Sequence, residues 1–95
     1  MNGQYIGAEF IECWKLGDRY HRVDGPAIVM TNGTRMWYDH GRLHRTDGPA
    51  VMLAGGMNSW YIYHQRITDW QSFQHFTNCT NEELSLLILK YGDIK

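Results

Sequence analysis

Short apolar segments alternate with polar turn residues along the first two thirds of this chain. Ala27 to Met30 and Ala50 to Leu53 are unbroken apolar runs that start 23 positions apart. The first is followed by Asn32-Gly33 and the second by Gly55-Gly56, which favour hairpin turns because these residues accept a positive φ. The pattern therefore predicts paired antiparallel strands joined by tight turns.

A second kind of turn lies between these hairpins. Met36-Trp37-Tyr38 consists mainly of β-favouring residues, and Asp39-His40-Gly41-Arg42 follows as a turn in which Gly41 supplies a positive φ. The apolar runs do not alternate with polar residues, as the strands of a sheet with one solvent-facing side would. We therefore expect the helices to cover one face of the sheet, and a second subunit or loops to cover the other.

The whole pattern repeats with a period of 23 residues, and units 14–36 and 37–59 are identical at nine positions. The longest shared stretch reads His-Arg-x-Asp-Gly-Pro-Ala, from His21 to Ala27 and again from His44 to Ala50. A fixed period of this length is typical of stacked supersecondary units. The repeat is also marked by equally spaced tryptophans, Trp14, Trp37 and Trp60.

The repeat breaks down after Trp60-Tyr61, and two helices are expected beyond it. Thr68-x-x-Gln71 and Thr80-x-x-Glu83 are capping-box patterns, and Gly92 suits the end of the second helix. That helix has an apolar stripe for the core, formed by Leu84, Leu87, Ile88 and Tyr91. Leu86 and Leu89 lie on its opposite side, which indicates cover from two directions, so we expect a homo-oligomer.

The predicted fold class is α+β, a twisted antiparallel β-meander built from 23-residue hairpin repeats and followed by two C-terminal helices. We expect about seven or eight short strands. Residues 1–95 should form a single domain, with the repeat sheet over about 9–67 and the helical part over about 68–92. A chain of this length has only a small core.

Composition narrows the classes of function. Nine basic and ten acidic residues nearly cancel, so no long-range field attracts nucleic acid, and we do not expect nucleic-acid binding. Cys13 and Cys79 are too few for a disulfide scaffold, which favours reduced thiols in the cytoplasm. The first residues are not typical of a secretion signal, and no apolar run approaches the ~20 residues that span a bilayer, so no membrane association is expected.

The duplicated His-Arg-x-Asp sequence has two interpretations. As a phosphoester hydrolase site, His44 would be the base, Asp47 its orienting group and Arg45 the group that stabilises the developing charge. As structure, Asp24 and Asp47 would cap their Gly-Pro turns, the arginines would pair with carboxylates, and the histidines would pack edge-on against tryptophans. Two copies on a repeating lattice favour the structural interpretation, so we predict no catalytic residue and no enzyme activity.

No metal site or cofactor is predicted either. His40 and His44 are four residues apart, but they lie across a predicted turn rather than on one helical face. No cysteine pair supports them as metal ligands. The repeated tryptophans are expected in the core, with an exposed stacking platform for bases as the alternative.

The repeat resembles one found in small uncharacterised proteins of tailed phages and large DNA viruses, Trp-Tyr-x-x-Gly-x-x-His-Arg-x-Asp-Gly-Pro-Ala. It is also loosely similar to MORN-type β-hairpin repeats. The unit from Trp37 to Ala50 matches in full, whereas the preceding unit has Lys15 and Asp18 at the Tyr and Gly positions. The resemblance covers residues 14–67 and implies a β-hairpin array, a viral origin and a host-directed or ligand-binding role, without catalytic activity.

We therefore expect a small phage-type protein-binding module that docks on a host protein, such as a defence or nucleic-acid enzyme, and inhibits or redirects it. Its binding residues are expected where the repeat fails, at His64, Arg66, Trp70, Leu86 and Leu89. The alternative is a protein that sequesters a nucleotide-type ligand, with arginines on phosphate and tryptophan on the base. Its candidate contacts are Arg22, Arg45, His21 and His44.

Overall fold

The computed structural model describes residues 10–94, which form ten short strands followed by two helices. The strands are β1 (Phe10–Cys13), β2 (Lys15–Leu16), β3 (Arg19–Tyr20), β4 (Ile28–Met30), β5 (Arg35–Met36), β6 (Tyr38–Asp39), β7 (Arg42–Leu43), β8 (Val51–Met52), β9 (Asn58–Ile62) and β10 (Gln65–Ile67). The helices are α1 (Trp70–Thr77) and α2 (Asn81–Tyr91). The α+β class is confirmed. Residue 9, where we expect the sheet to begin, lies outside the described residues.

All strand pairings are antiparallel, and the strands form a main sheet with a row of ribbons beside it. The main sheet has the order β1-β4-β5-β8-β9-β10. Strands β2 and β3 form ribbon 1, and β6 and β7 form ribbon 2. Ribbon 3 is the second half of β9, from Trp60 to Ile62, paired with β10. Each repeat therefore contributes to both the main sheet and the row of ribbons.

Tryptophans mark the points where the chain passes from the main sheet into a ribbon. Trp14 separates β1 from β2 and Trp37 separates β5 from β6, which is why there are ten strands rather than seven or eight. The backbone N–H of Trp14 donates to the carbonyl of Ala27 at 2.7 Å, and that of Trp37 donates to Ala50 at 2.8 Å. Both alanines are fully buried, so the last position of the motif has no room for a larger side chain.

The ribbons stack through backbone hydrogen bonds that recur at the repeat period. Gly41 donates its N–H to the carbonyl of Tyr20, and His64 donates to Leu43, both at 2.7 Å. Ribbon 2 turns at His40 and Gly41, whose φ angles of 52° and 84° are those of a type I′ turn. The turn that the sequence predicts at this point is confirmed.

The two helices have well-defined ends. The N-cap of α1 is Asp69, whose carboxylate accepts the backbone N–H of Ser72 at 2.8 Å. The capping box predicted at Thr68 is therefore wrong by one residue, because a carboxylate is a strong cap and interacts favourably with the helix dipole. The capping box between Thr80 and Glu83 is confirmed, and α2 ends at Gly92 as expected. Neither helix of the described residues is long and apolar enough to cross a membrane.

The hydrophobic core lies where the repeat breaks down. Five residues that are at most 9% exposed form it, namely Trp60, Ile62, Ile67, Phe73 and Ile94. Ile67 stands 23 positions after His44, and Phe73 stands 23 positions after Ala50. The third unit has thus replaced motif residues by larger apolar ones. Partly buried residues of the helical part pack against this cluster, namely Trp70, Cys79, Leu84, Leu87 and Tyr91.

Candidate functional site

An open groove of about 800 Å³ lies between the two copies of the His-Arg-x-Asp sequence. It is bordered by residues 21–26, 37–40 and 44–47. The histidines and arginines considered as ligand contacts therefore share one cavity with Asp47. The lining is rich in charged groups, and their hydrogen bonds decide which of them are available to a ligand.

Arg45 is held from several sides by other protein groups. Its guanidinium lies 3.8 Å from the centre of the Trp37 ring. Its Nε donates to Asp47 at 2.8 Å, and Nη1 donates to the carbonyl of Pro49 at 3.1 Å. Nη2 also lies 3.5 Å from the hydroxyl of Tyr91 in α2. The Arg45 side chain is only 14% exposed, so it acts mainly as a structural clamp between the ribbons and α2.

Arg22 repeats this arrangement more loosely. It lies 4.2 Å from the centre of the Trp14 ring, and its Nε donates to Asp24 at 3.1 Å. Its Nη1 donates to Glu12 at 3.2 Å and to the carbonyl of Pro26 at 3.4 Å. The expected pairing of the arginines with carboxylates is confirmed. The two motif aspartates hold the guanidinium groups and do not serve primarily as turn caps.

The glycine of the motif lies close to the arginine in both units. A Cβ atom on Gly48 would lie 2.6 Å from Cζ of Arg45 and 2.9 Å from the Tyr91 hydroxyl. On Gly25, the same atom would lie 3.1 Å from Cζ of Arg22. A side chain at Gly48 would therefore force Arg45 or Tyr91 to shift, whereas at Gly25 a shift of Arg22 by a few tenths of an ångström would be enough. The Arg-x-Asp-Gly-Pro sequence thus positions one guanidinium group in each unit, through the aspartate and the proline carbonyl.

Each motif histidine bonds to the backbone of the next ribbon. Nδ1 of His21 accepts the N–H of His40 at 3.0 Å, and Nδ1 of His44 accepts that of Tyr63 at 3.1 Å. The His44 ring stacks on Tyr63 with ring centres 4.0 Å apart, so the expected edge-on packing against tryptophan is wrong. Burial lowers the pKa of His44, against a smaller opposing effect of the Asp39 carboxylate. The neutral ring is the form that can accept this bond.

The two ribbon interfaces differ at two positions. Ribbon 3 has Ile62 and Tyr63 where ribbon 2 has Asp39 and His40. Nδ1 of His40 lies 2.5 Å from Oδ1 of Asp39, and Nδ1 of His21 lies 3.3 Å from the same oxygen. Our sequence reasoning missed Asp39 and compared His40 only with His44. A search for differences between units, rather than identities, would have found both residues.

The binding residues predicted in the third unit are spread over separate elements. His64 lies in the turn of ribbon 3 and Arg66 in β10, and both are exposed. Arg66 borders a smaller cavity of about 290 Å³ beside Trp60 and Tyr91. Trp70 packs edge-on against Trp60 with ring centres 4.9 Å apart, so its ring contributes to the core. Within residues 10–94, no hydrogen bond or aromatic contact joins His64, Arg66 and Trp70 to one another.

Helix α2 carries apolar side chains on two faces. Leu84, Leu87 and Tyr91 pack against the core. Leu86 and Leu89 are 66% and 83% exposed. At 3.6 residues per turn, these two leucines project away from the packed stripe. The prediction that they lie on the side of α2 away from the core is confirmed, and the described part of the chain leaves this side uncovered.

Comparisons with known proteins reveal no relative of this chain. No family model matches it, and neither a curated protein nor a solved structure matches it. The assignment of function therefore depends on the geometry of the groove and of helix α2.

Proposed function

We propose that this chain is a non-catalytic, phage-type protein-binding module that acts in the host cytoplasm. It docks on a host protein, such as a defence or nucleic-acid enzyme, and inhibits or redirects it. The surface that makes the contact is the outer face of α2, defined by Leu86 and Leu89. The observation that carries this proposal is the exposure of both leucines, 66% and 83%, on a helix whose other face already serves the core.

Physical chemistry supports a partner at this surface. Burying a leucine side chain that is otherwise exposed is worth about 1.5–3 kcal/mol. Two leucines spaced i and i+3 form the kind of anchor pair with which a helix enters an apolar groove. Glu82 is exposed one helical turn before Leu86, so it would lie at the rim of that contact. The complementary partner has an apolar groove with a basic residue beside it.

The state of the polar groove also supports a non-catalytic role. Arg45 and Asp47 are bonded to each other, and Nδ1 of His44 accepts a backbone N–H. A hydrolase that used these three residues would have to break contacts that hold the repeats together. The same contacts recur around Arg22, Asp24 and His21, and a structural role accounts for both copies.

The test is a quantitative pull-down from bacterial lysate with a matched set of variants. The Leu86→Glu/Leu89→Glu variant removes the apolar face of α2. Met57→Glu is the control, because Met57 is 73% exposed but lies in a turn of the main sheet. We expect one stoichiometric partner that wild type and the control retain and the α2 variant loses. Equal capture by all three proteins, or no stoichiometric partner for any of them, would contradict the proposal.

The captured protein should then be purified and titrated against wild type and both variants by calorimetry. Sedimentation of the free chain in parallel tests the predicted homo-oligomer. A dimer that dissociates in the α2 variant, without loss of a host partner, would assign the leucine face to a second copy and contradict host docking through it.

Sequestration of a nucleotide-type ligand is the second candidate, and the groove of about 800 Å³ bordered by both arginines favours it. The tryptophan ring that would hold the base is already covered by Arg45 in the second unit. A panel of mono-, di- and cyclic nucleotides should therefore leave the melting temperature unchanged. A reproducible rise with one of them, abolished in Arg22→Ala, would favour the ligand-binding function instead.

A further inference from the structure

Three potential metal ligands meet at the interface between ribbons 1 and 2. His21, Asp39 and His40 each place a ligand atom within 4.8 Å of the other two. His21 comes from the segment after ribbon 1, whereas Asp39 is the last residue of β6 and His40 the first residue of the turn of ribbon 2. The imidazole rings of the two histidines are 4.3 Å apart. All three residues border the groove, and the His40 side chain is 60% exposed, so an ion would have access from solvent.

The hydrogen bonds of this cluster hold an unprotonated imidazole nitrogen next to a carboxylate. Nδ1 of His21 accepts the N–H of His40 at 3.0 Å, so it presents a lone pair rather than a proton. It also lies 3.3 Å from the carboxylate oxygen of Asp39. Two acceptor atoms at this distance repel each other, and a cation between them turns that repulsion into attraction. Because Nδ1 has one lone pair, an ion bound there would take the place of the His40 N–H as its partner.

The next ribbon interface shows that the stacking does not need this arrangement. There His44 accepts the N–H of Tyr63, with Ile62 in the place of Asp39. The backbone bond is kept, but the carboxylate and the second imidazole are missing. The chain thus keeps the backbone bond without them. The His40 ring packs against His21 as Tyr63 packs against His44, but the Asp39 carboxylate and the His40 ring nitrogens have no counterpart at the next interface.

We propose that His21, Asp39 and His40 bind one divalent transition-metal ion of the Zn²⁺ class. Two imidazoles and one carboxylate match the ligand preference of Zn²⁺ and its neighbours, whereas Mg²⁺ and Ca²⁺ prefer oxygen ligands. Zinc bonds of about 2.0–2.2 Å place neighbouring ligand atoms roughly 3.3 Å apart. The separation of His21 from Asp39 already has this value. The 2.5 Å contact between His40 and Asp39 would open when the ion takes the place of the hydrogen between them, with the His40 proton then on Nε2.

The bound ion would join ribbon 1 to ribbon 2 with its remaining coordination positions toward the groove. Because the ligands come from two ribbons, their bonds to the ion would replace the His21–His40 hydrogen bond by a stronger link between the ribbons, and folding and metal binding are then coupled. The ion does not touch α2, so this site is independent of the protein-docking surface. A variant that loses zinc binding can therefore still be assayed for partner binding, and a variant that loses partner binding can still be assayed for zinc binding.

The experiment is a Zn²⁺ titration of the purified chain by calorimetry, with the melting temperature as a second readout. His40→Tyr is the central variant, because Tyr63 occupies the equivalent position of ribbon 3 with a φ of 46°, close to the 52° of His40. Asp39→Asn removes the charge with almost no change of shape. His75→Tyr is the control, because His75 lies in α1 outside the repeats. Each titration is repeated in a Cys13→Ser/Cys79→Ser background, which removes both thiols as competing ligands.

We expect one Zn²⁺ per chain for wild type and His75→Tyr, with at least a tenfold loss of affinity in His40→Tyr and in Asp39→Asn. Zinc should raise the melting temperature only in the proteins that bind it. Long-range ¹H–¹⁵N spectra should show the ring signals of His21 and His40 moving with zinc while those of His44 stay in place. Wild-type affinity and stoichiometry in both site variants, or no zinc binding by wild type, would overturn the assignment.

Discussion

Replacing Arg45 by alanine should destabilise this fold considerably more than replacing Arg22, although the two residues occupy the same position in successive repeats. The guanidinium of Arg45 lies 3.8 Å from its tryptophan and that of Arg22 lies 4.2 Å from its own. Trp14, the partner of Arg22, is itself 47% exposed. The sequence around both arginines is nearly the same, so the two substitutions differ mainly in burial and in the partners Tyr91 of Arg45 and Glu12 of Arg22.

The loss of unfolding free energy can be worked out from the contacts that each substitution removes and the buried groups that it leaves unpaired. The carbonyl of the fully buried Pro49 loses its 3.1 Å donor when Arg45 is removed, and a buried unpaired acceptor costs about 1–3 kcal/mol. The lost cation–π contact adds about 0.5–2 kcal/mol. The pair with Asp47, which is 82% exposed, adds at most about 1 kcal/mol. We expect a loss of about 2–4 kcal/mol for Arg45→Ala and of about 1–2 kcal/mol for Arg22→Ala.

Urea denaturation followed by tryptophan fluorescence and circular dichroism measures both losses, and thermal melting supplements it. For a domain of this size, each kcal/mol corresponds to about 4–8 °C in melting temperature. Arg42→Ala is the control, since Arg42 is exposed in β7. Equal losses for Arg22→Ala and Arg45→Ala, or full stability in Arg45→Lys, would refute the clamp. Lysine tests the geometry because it has the charge without the planar fork of donors.

Two further predictions concern histidines. Because burial lowers the pKa of His44, the unfolded chain binds a proton there more readily than the folded chain. The stability that neutral His44 contributes is therefore complete above its usual pKa of 6.5 and is lost as the pH falls from there through the lowered folded pKa. Unfolding free energies measured from pH 8 to 5 should fall more steeply for wild type than for His44→Gln, and equal slopes would contradict this role. His64→Gly should raise the unfolding free energy by about 0.5–1 kcal/mol, because His64 has a φ of 74° at the position that Gly41 occupies one repeat earlier. Gly41→Ala should lower the unfolding free energy, and a loss of stability in His64→Gly would exclude strain at this turn.

Most of the local structure could be predicted because it depends on neighbours in sequence. Asn32-Gly33 and His40-Gly41 form their turns through their own backbone preferences, and Thr80 caps α2 through Glu83, three residues away. The exposure of Leu86 and Leu89 likewise follows from helical periodicity alone. The error at Thr68 has the same local character, because two adjacent residues were both able to cap the helix and the carboxylate of Asp69 is the one that does.

The contacts between ribbons could not be predicted, because they join residues whose separation differs from the repeat period. His21 meets His40 and His44 meets Tyr63, each 19 residues away. A period of 23 residues shows which positions are equivalent, but it does not give the offset at which one unit touches the next. That offset depends on the interruption of the strands at Trp14 and Trp37, which forms the ribbons.

The repeat nevertheless separates structural residues from the rest of the chain more sharply than a single unit could. Arg22 and Arg45 donate to equivalent carbonyls in both units, and the histidines that follow ribbons 1 and 2 both accept a backbone N–H, so the repeated fold accounts for these bonds. The Asp39 carboxylate and the His40 ring nitrogens have no such counterpart, because the next interface keeps the same backbone bond and ring contact with Ile62 and Tyr63. A residue that serves only the stacking should be replaceable by its counterpart one unit later. For this reason Asp39→Ile/His40→Tyr should preserve stability and remove zinc binding together, a combination that a purely structural cluster would not produce.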